Sequence, residues 1–238
     1  MAELRVMTWN IASNRPRFAA EAIAHGIDEL DPDVVAMQEV CKPALKDIAK
    51  VLKRRTQWPH RGAGQGKVWH EHAGLHRAPC GPFGNAVLAR VPLGPAQIDR
   101  LPPCQECRDH GEQRSVLRAD AAAGDAQLRV YSTHHSPGAW TRGAGQLESA
   151  LAFVGADRQR GTGQVVCGDF NERPERLRRF YDRLAEADPE GRPTYPAGQP
   201  TAKIDYVFLG GGATARDPQI PATFASDHRP LLVTVALP

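Results

Sequence analysis

The chain has 238 residues, with 30 Lys and Arg against 27 Asp and Glu for a formal charge of +3, and 41% of its residues are hydrophobic. This suits one cored domain over residues 1–238 and allows a polyanionic partner without requiring one. It excludes a membrane-spanning helix, because no apolar run approaches the ~18–20 residues that a span needs.

From the N-terminus, Leu4 to Asn10 alternates as a strand that ends at Asn10. Its start carries neither a basic n-region nor an apolar h-region, so a cytoplasmic location is expected, or secretion if a leader has been removed. Residues 16–30 predict a helix with Phe18, Ala22, Ile23, Ile27 and Leu30 on one stripe, closed by Asp31-Pro32-Asp33. Val34 to Met37 is a continuous apolar strand with Glu39 at its exit, and a helix follows from Pro43 with Leu45, Ile48, Ala49 and Leu52 inward. Residues 53–83 mix Lys, Arg and His with Gly, Pro, Trp58 and Trp69, and read as a long surface excursion. Its charges are either solvated or, as with Arg54, Arg55, Arg61 and Lys67, contacts for a phosphate backbone.

Strands are next expected at Gly84–Ala89, Ile98–Leu101, Arg114–Asp120 and Gln127–Thr133, forming a meander with His134 at its exit. Thr141 can cap a helix whose buried stripe is Ala144, Leu147, Ala150, Leu151 and Val154. The strand Val165–Cys167 stops at Gly168 and presents Asp169 and Asn171. Pro174 opens another helix with Leu177, Phe180, Tyr181 and Leu184 inward and an arginine-rich solvated face. Lys203–Leu209 is a strand interrupted by Asp205, and Leu231–Leu237 is a strand preceded by Ser226-Asp227-His228.

Five cysteines do not pair evenly. Cys41 and Cys167 sit in apolar runs as small core residues, whereas Cys104 and Cys107 form a C-x-x-C in a polar loop. Even with Cys80, His76 or His110 added, no second C-x-x-C or H-x3-H completes a zinc site, so zinc is not expected.

Asn10, Glu39, His134, Asp169, Asn171, Asp227 and His228 thus collect at strand edges, with Asp205 inside a strand. Two histidines can move protons near neutral pH, each oriented by a carboxylate. Glu39, Asp227 and Asn10 supply hard oxygen ligands suited to Mg²⁺. No G-x-S-x-G nucleophile string is present, so the favoured chemistry is water attacking a phosphoester beside a divalent cation.

The ordered strings T-W-N (8–10), Q-E (38–39), G-N-A-V-L-A-R (84–90), T-H (133–134), G-D-F-N (168–171), I-D-Y (204–206) and S-D-H-x-P (226–230) together resemble the endonuclease/exonuclease/phosphatase superfamily, of the deoxyribonuclease I-like kind. The resemblance implies an α+β fold, a four-layer α/β sandwich of two packed mixed β-sheets flanked by helices, with the site at the loop edge of the sheets. It implies Glu39 as the principal Mg²⁺ (or Mn²⁺) ligand with Asn10 and Asp227 near the ion, and His134, Asp169, Asn171, Asp205 and His228 as the catalytic set. Asp205 would orient His228, while Asp169 and Asn171 would handle the attacking water and the phosphate oxygens; either Asp169 or His228 could be the base. Asn85, which matches a family position near the substrate phosphate, and Arg114 are assigned to substrate binding. His135 would point away from the site.

Lys203-Ile204-Asp205-Tyr206 differs from the W-x-D-R string of the inositol-phosphatase branch. The Cys104–Cys107 pair is similar in placement to a small loop disulfide of pancreatic deoxyribonucleases, although a disulfide fits poorly with a chain that shows no leader. The expected function is a divalent-metal-dependent phosphodiesterase, a monomeric DNase-like nuclease acting on nucleic acid, with DNA as the expected substrate. Its alternative is a phosphatase or phosphodiesterase acting on a small-molecule or lipid phosphate. A retained binding module is disfavoured, because every catalytic position is filled.

Overall fold

The structure, a computed structural model, describes residues 2–15, 19–55, 68–70, 74–78, 81–108, 112–138, 145–156 and 161–238, with 53–55, 68–70 and 74–78 described by backbone alone. The chain opens with β1 (Glu3–Asn10), α1 (Ala20–Leu30), β2 (Val34–Cys41), α2 (Lys42–Arg55) and the strands β3 (Val68–His70), β4 (Gly74–Ala78) and β5 (Gly81–Ala89). A second run follows: β6 (Gln97–Arg100), β7 (Ser115–Ala123), β8 (Ala126–His134), α3 (Gln146–Ala156) and β9 (Gly163–Asp169). A 3-10 turn (Pro174–Arg176), α4 (Arg178–Tyr181), β10 (Ala185–Glu186), β11 (Asp205–Gly210), β12 (Thr214–Gln219) and β13 (Leu231–Ala236) complete it. No helix among the described residues is long and apolar enough to cross a membrane.

Two sheets form, one ordered β12-β13-β1-β2-β5-β3 with β4 also on β5, the other β10-β11-β9-β8-β7-β6. The central strands are apolar on both faces because each has a layer on either side. In β1 and β2, Leu4, Val6, Val34 and Ala36 meet Val130, Val165, Cys167 and Val207 of the facing sheet. Their neighbours Met7, Trp9, Val35 and Met37 turn outward beneath Ile23 and Ile27 of α1 and Leu45, Ile48 and Leu52 of α2. On the far side, Tyr131, Val166 and Phe208 pack with Leu147, Ala150, Leu151 and Val154 of α3. The result is the expected four-layer sandwich. Among the described residues only β1–β2 and β8–β9 are parallel pairs, joined across α1 and α3 respectively. Antiparallel pairing then puts the starts of β13 and β11 beside the ends of β1 and β9.

Several elements differ from the sequence reading. In α1 the buried stripe is Ile23, Ala24 and Ile27, with Ala22 exposed, and Phe18 lies outside the described residues. Thr141 and Ala144 lie outside them too, and α3 begins at Gln146. Part of the supposed surface excursion is strand, since β3 and β4 pair with β5. The helix expected after Pro174 is a 3-10 turn and four α-helical residues, because Leu177 at φ −100° and ψ 20° breaks the α geometry between them. β12 escaped notice because Thr214–Gln219 is a mostly exposed edge strand containing Pro218 and lacks an apolar alternation.

Lys203 lies in the loop before β11, with its side chain only 3% exposed. Its Nζ sits 2.7 Å from Glu186 Oε1 and 3.1 Å from Asp188 Oδ2, and 5.0 Å above the Tyr206 ring. Lys203→Met leaves Glu186 without its cation and Asp188 with Arg192 alone, and is expected to cost about 3–5 kcal/mol. Urea unfolding checks this, and an unchanged midpoint would show that the cluster contributes nothing. Burial alone would raise the Asp188 carboxyl, but hydrogen bonds and charge from Arg192 and Lys203 outweigh it and hold it below the ordinary carboxylate range. A depressed folded-state pKa means that this contribution is present above the unfolded carboxylate range, near pH 4, and is lost as pH falls through the lower folded value.

Candidate active site

Toward one edge, the layer between the sheets changes from apolar to polar. Thr8 donates to Gln38 Oε1 at 3.4 Å, Gln38 Nε2 donates to Ser132 Oγ at 3.0 Å, and Ser132 donates to the Met37 carbonyl at 3.1 Å. These buried groups satisfy one another and form a rigid floor. The chain ends above this floor converge. Asn10, His134 and Asp169 are the last residues of β1, β8 and β9, and Asp205 is the first of β11 rather than an interruption within it. Glu39 also departs from expectation, because β2 continues past it to Cys41. A register shift between Met37 and Val40 puts one extra residue opposite β5, and Glu39 takes φ 54° there. The bulge, not a strand exit, aims its carboxylate.

Gly168 is required for the approach of β9 to β8: a Cβ would stand 2.0 Å from the Thr133 carbonyl oxygen. That contact brings Asp169 against the end of β8. Asn10 Nδ2 donates to Asp169 Oδ2 at 2.9 Å and to Glu39 Oε1 at 3.1 Å, so one amide ties the two carboxylates together. The Asn171 N–H donates to Asp169 Oδ1 at 2.8 Å, with Asn171 in the left-handed region at φ 51°, which asparagine tolerates.

On the other side of Asp169, His228 Nε2 lies 3.7 Å from its Oδ2. His228 Nδ1 lies 2.9 Å from Asp205 Oδ2, which also accepts the Thr194 hydroxyl at 2.5 Å. The His228 backbone is fixed as well: its carbonyl accepts Trp9 Nε1–H at 3.0 Å, and its N–H donates to Ser226 Oγ at 3.2 Å. Burial would lower the His228 pKa, but the carboxylates of Asp205 and Asp169 outweigh it and the pKa is raised. Burial raises that of Asp169, against the pull of His228. The two share a proton-handling unit rather than titrating separately.

His134 closes the group, with Nε2 3.5 Å from Asp169 Oδ2 and 4.0 Å from Glu39 Oε1. Arg114 Nη1 reaches His134 Nδ1 at 2.6 Å. A guanidinium can only donate, so Nδ1 accepts and the ring proton is carried on Nε2, facing Asp169 and Asn171. Burial and then the Arg114 charge hold the His134 pKa well below its usual range, so the ring is a neutral N–H donor. Glu112 in turn lies 3.4 Å from Arg114 Nη2. Arg114, expected to bind substrate, is thus buried behind His134. Asn85 is also buried, and its amide donates to the Ser115 carbonyl at 2.9 Å. His135 stays out of the cluster, its ring packed 4.9 Å from that of Phe170. Its pKa falls to about 3, by burial and then Arg114.

Asp227 stands apart from Asn10 and Glu39 in its contacts: one carboxylate oxygen pairs with Arg15. Its other oxygen, Oδ1, is buried without a hydrogen-bond partner, as is Oδ1 of Asp205. Orphaned carboxylate oxygens are costly unless a cation or donor meets them. Asp169, Asp205 and His228 offer ligand atoms within 4.8 Å of one another. With Glu39 beside Asn10, the donors are mostly hard oxygens, which fit a small divalent cation and not a soft one. The Cys167 thiol is pushed up by burial and is no nucleophile. Arg15 and Thr194 were missed in the sequence, where nothing local marks either.

The structure also alters the cysteine reading. Cys104 and Cys107 are joined in a disulfide, Cys41 is disulfide-bonded too, and Cys167 is the free cysteine among the described residues. The side chains of residues 53–80, including Arg54, Arg55, Arg61, Lys67, His76 and Cys80, lie outside those described, as does His110.

A family model described as "Endonuclease/Exonuclease/phosphatase family" matches residues 7–228. Among solved structures, an endonuclease/exonuclease/phosphatase from Beutenbergia cavernae DSM 12333 is similar at a TM-score of 0.76 and 24% identity, over 100% of this chain and 72% of that one. An endonuclease/exonuclease/phosphatase family protein from Leptotrichia buccalis C-1013-b has a TM-score of 0.75 at 15% identity, over 99% of each chain. Truncated Caenorhabditis elegans TDP2 has a TM-score of 0.70 at 18% identity, over 98% of this chain and 97% of that one. A UPF0294 protein of Vibrio vulnificus strain YJ016 is 29% identical over 134 residues, 52% of this chain. The match spans 45%, less than half, of that curated relative's length.

Proposed function

Because the chain belongs to the endonuclease/exonuclease/phosphatase family, we propose that it is a phosphodiesterase using a divalent cation, Mg²⁺ or Mn²⁺, to hydrolyse nucleic acid, with DNA as the substrate. The observation that carries this reading is the cluster of Glu39, Asn10, Asp169, Asp205 and His228 at one sheet edge, a proton-handling unit beside hard oxygen donors. A cation held by Glu39 and neighbouring carboxylates would supply charge stabilisation to the phosphoryl oxygens. Asp169 and His228 together would handle the proton of the attacking water, and Asp205, itself fixed by the Thr194 hydroxyl, orients the His228 ring. His134 would offer its Nε2–H to a phosphate oxygen, with Asn171, whose amide donates to the His135 carbonyl at 3.0 Å, beside it; a fixed donor serves developing charge best.

Assay of the purified protein with Mg²⁺, Mn²⁺ or EDTA on plasmid DNA, RNA, free nucleotides and a generic phosphomonoester tests the reading. Metal-dependent DNA cleavage is the expected outcome. Turnover confined to monoesters or lipid phosphates would replace the nuclease reading with the phosphatase one, and full activity in excess EDTA would remove the metal from it.

The disulfides bear on where the protein works. Such bonds persist where thiols are not kept reduced, so they favour an oxidising compartment over the cytoplasm expected from the sequence. Thiol titration of the denatured, unreduced protein is expected to find one group, Cys167. Finding five would return the protein to a reducing compartment. The expected oligomeric state is a monomer, and size-exclusion chromatography with light scattering measures it.

A further inference from the structure

Phe224 is 90% exposed, whereas the other large exposed hydrophobics among the described residues, Ile98 and Tyr181, are 39% and 37% exposed. Single surface hydrophobics are ordinary, and one alone means little. This one differs in its setting. The loop that carries it, residues 221–230 before β13, is tied down immediately after the ring. Ala225 N–H donates to Thr223 Oγ1 at 3.1 Å and Ala225 packs against the core beneath α1 and α2. Ser226 donates to the Asn10 carbonyl at 2.6 Å, and the Asp227 carbonyl accepts the Ala197 N–H at 2.7 Å. A fixed loop therefore presents an unpacked ring. The ring's Cα lies three residues from Asp227 and four from His228, a reach of at most about 11 to 14 Å. On the same rim, Arg15 pairs with Asp227 while its side chain is 45% exposed.

A rigid aromatic face and a half-exposed guanidinium flanking a phosphoryl site are the two elements that unpaired nucleic acid needs, one for a base and one for the backbone. Resting on the phosphodiesterase reading above, we propose that Phe224 stacks on a nucleobase next to the scissile phosphate, so that the substrate is gripped as an unpaired strand at this side of the site. A membrane partner fits less well. The residues around the ring, Pro221, Ala222, Thr223 and Ala225, are small, and 221–227 contains no Lys or Arg, whereas surface binding to lipid uses apolar area together with cations.

The test compares wild type, Phe224→Ala and Phe224→Trp on a short oligodeoxythymidylate and on the same strand made abasic. Phe224→Ala should raise KM for the base-bearing strand roughly 5- to 150-fold, the effect of one lost stack, with kcat little changed. Phe224→Trp should restore binding, and wild type and Phe224→Ala should be equal on the abasic strand. Binding is read separately by fluorescence polarisation of the labelled strands on a Glu39→Gln background. There, Phe224→Ala should weaken only the base-bearing strand, whether or not the wild type cleaves it. Failure to cleave with that binding difference intact would sink the nuclease reading but keep the stack. Equal behaviour of Phe224→Ala and wild type on the base-bearing strand overturns the proposal, as does an equal loss on both strands. Loss of binding to phosphatidylcholine–phosphatidylserine vesicles with oligonucleotide binding unchanged would assign Phe224 to a membrane instead. An unchanged melting temperature confirms that the variants fold.

Discussion

Glu39→Gln is expected to lower metal-dependent turnover by about 10³-fold, the order of several kcal/mol of lost charge stabilisation, while leaving the fold intact. The reasoning is local. Glu39 sits on a bulge at the rim with its side chain 18% exposed, and its mapped contacts are the Asn10 amide at 3.1 Å and His134 at 4.0 Å. Removing its charge takes little from the core but removes the most accessible carboxylate of the cluster. Calorimetric titration of Mn²⁺ into the variant should show weakened binding alongside the lost turnover. Turnover within a few-fold of wild type would show that the cation, if used, is held elsewhere, with the group formed by Asp169, Asp205 and His228 the first place to look.

His228→Ala is expected to cost about 10²–10⁴-fold in kcat, the usual range for a proton-transferring side chain. Asp205→Ala should cost a comparable amount, because His228 Nδ1 and the Thr194 hydroxyl both converge on one Asp205 oxygen. The double variant should lose little more than either single one, since a histidine and the carboxylate that orients it act as one unit. Additive losses in this double-mutant cycle would mean that Asp205 has a second task, such as holding a cation through its orphaned Oδ1. Melting temperatures separate this from misfolding, because both side chains are buried and a drop in stability common to all three variants would explain a uniform loss.

The core strands of both sheets and three of the helices were legible in the chain, and so were most of the polar residues that the structure gathers at one sheet edge. Alternation and continuous apolar runs report whether a strand is covered on one face or two, and that is a local property of sequence. The string Gly168-Asp169-Phe170-Asn171 likewise announces a turn carrying a carboxylate and an amide. What the chain could not state was which distant groups meet. Asn10 reaches Asp169 across 159 residues only because two parallel strand pairs in different sheets end at one edge. Glu39 read as a strand exit because a bulge is a matter of register against β5, which a single strand does not encode. The burial of Arg114 behind His134 was not legible either, because only packing of β7 beside β8 turns it there. Thr194, Arg15 and the disulfide of Cys41 were invisible for the same reason. Their meaning lies in partners brought near by the closing of two sheets, whereas apolar patterning, which the sequence alone determines, says only which face is buried.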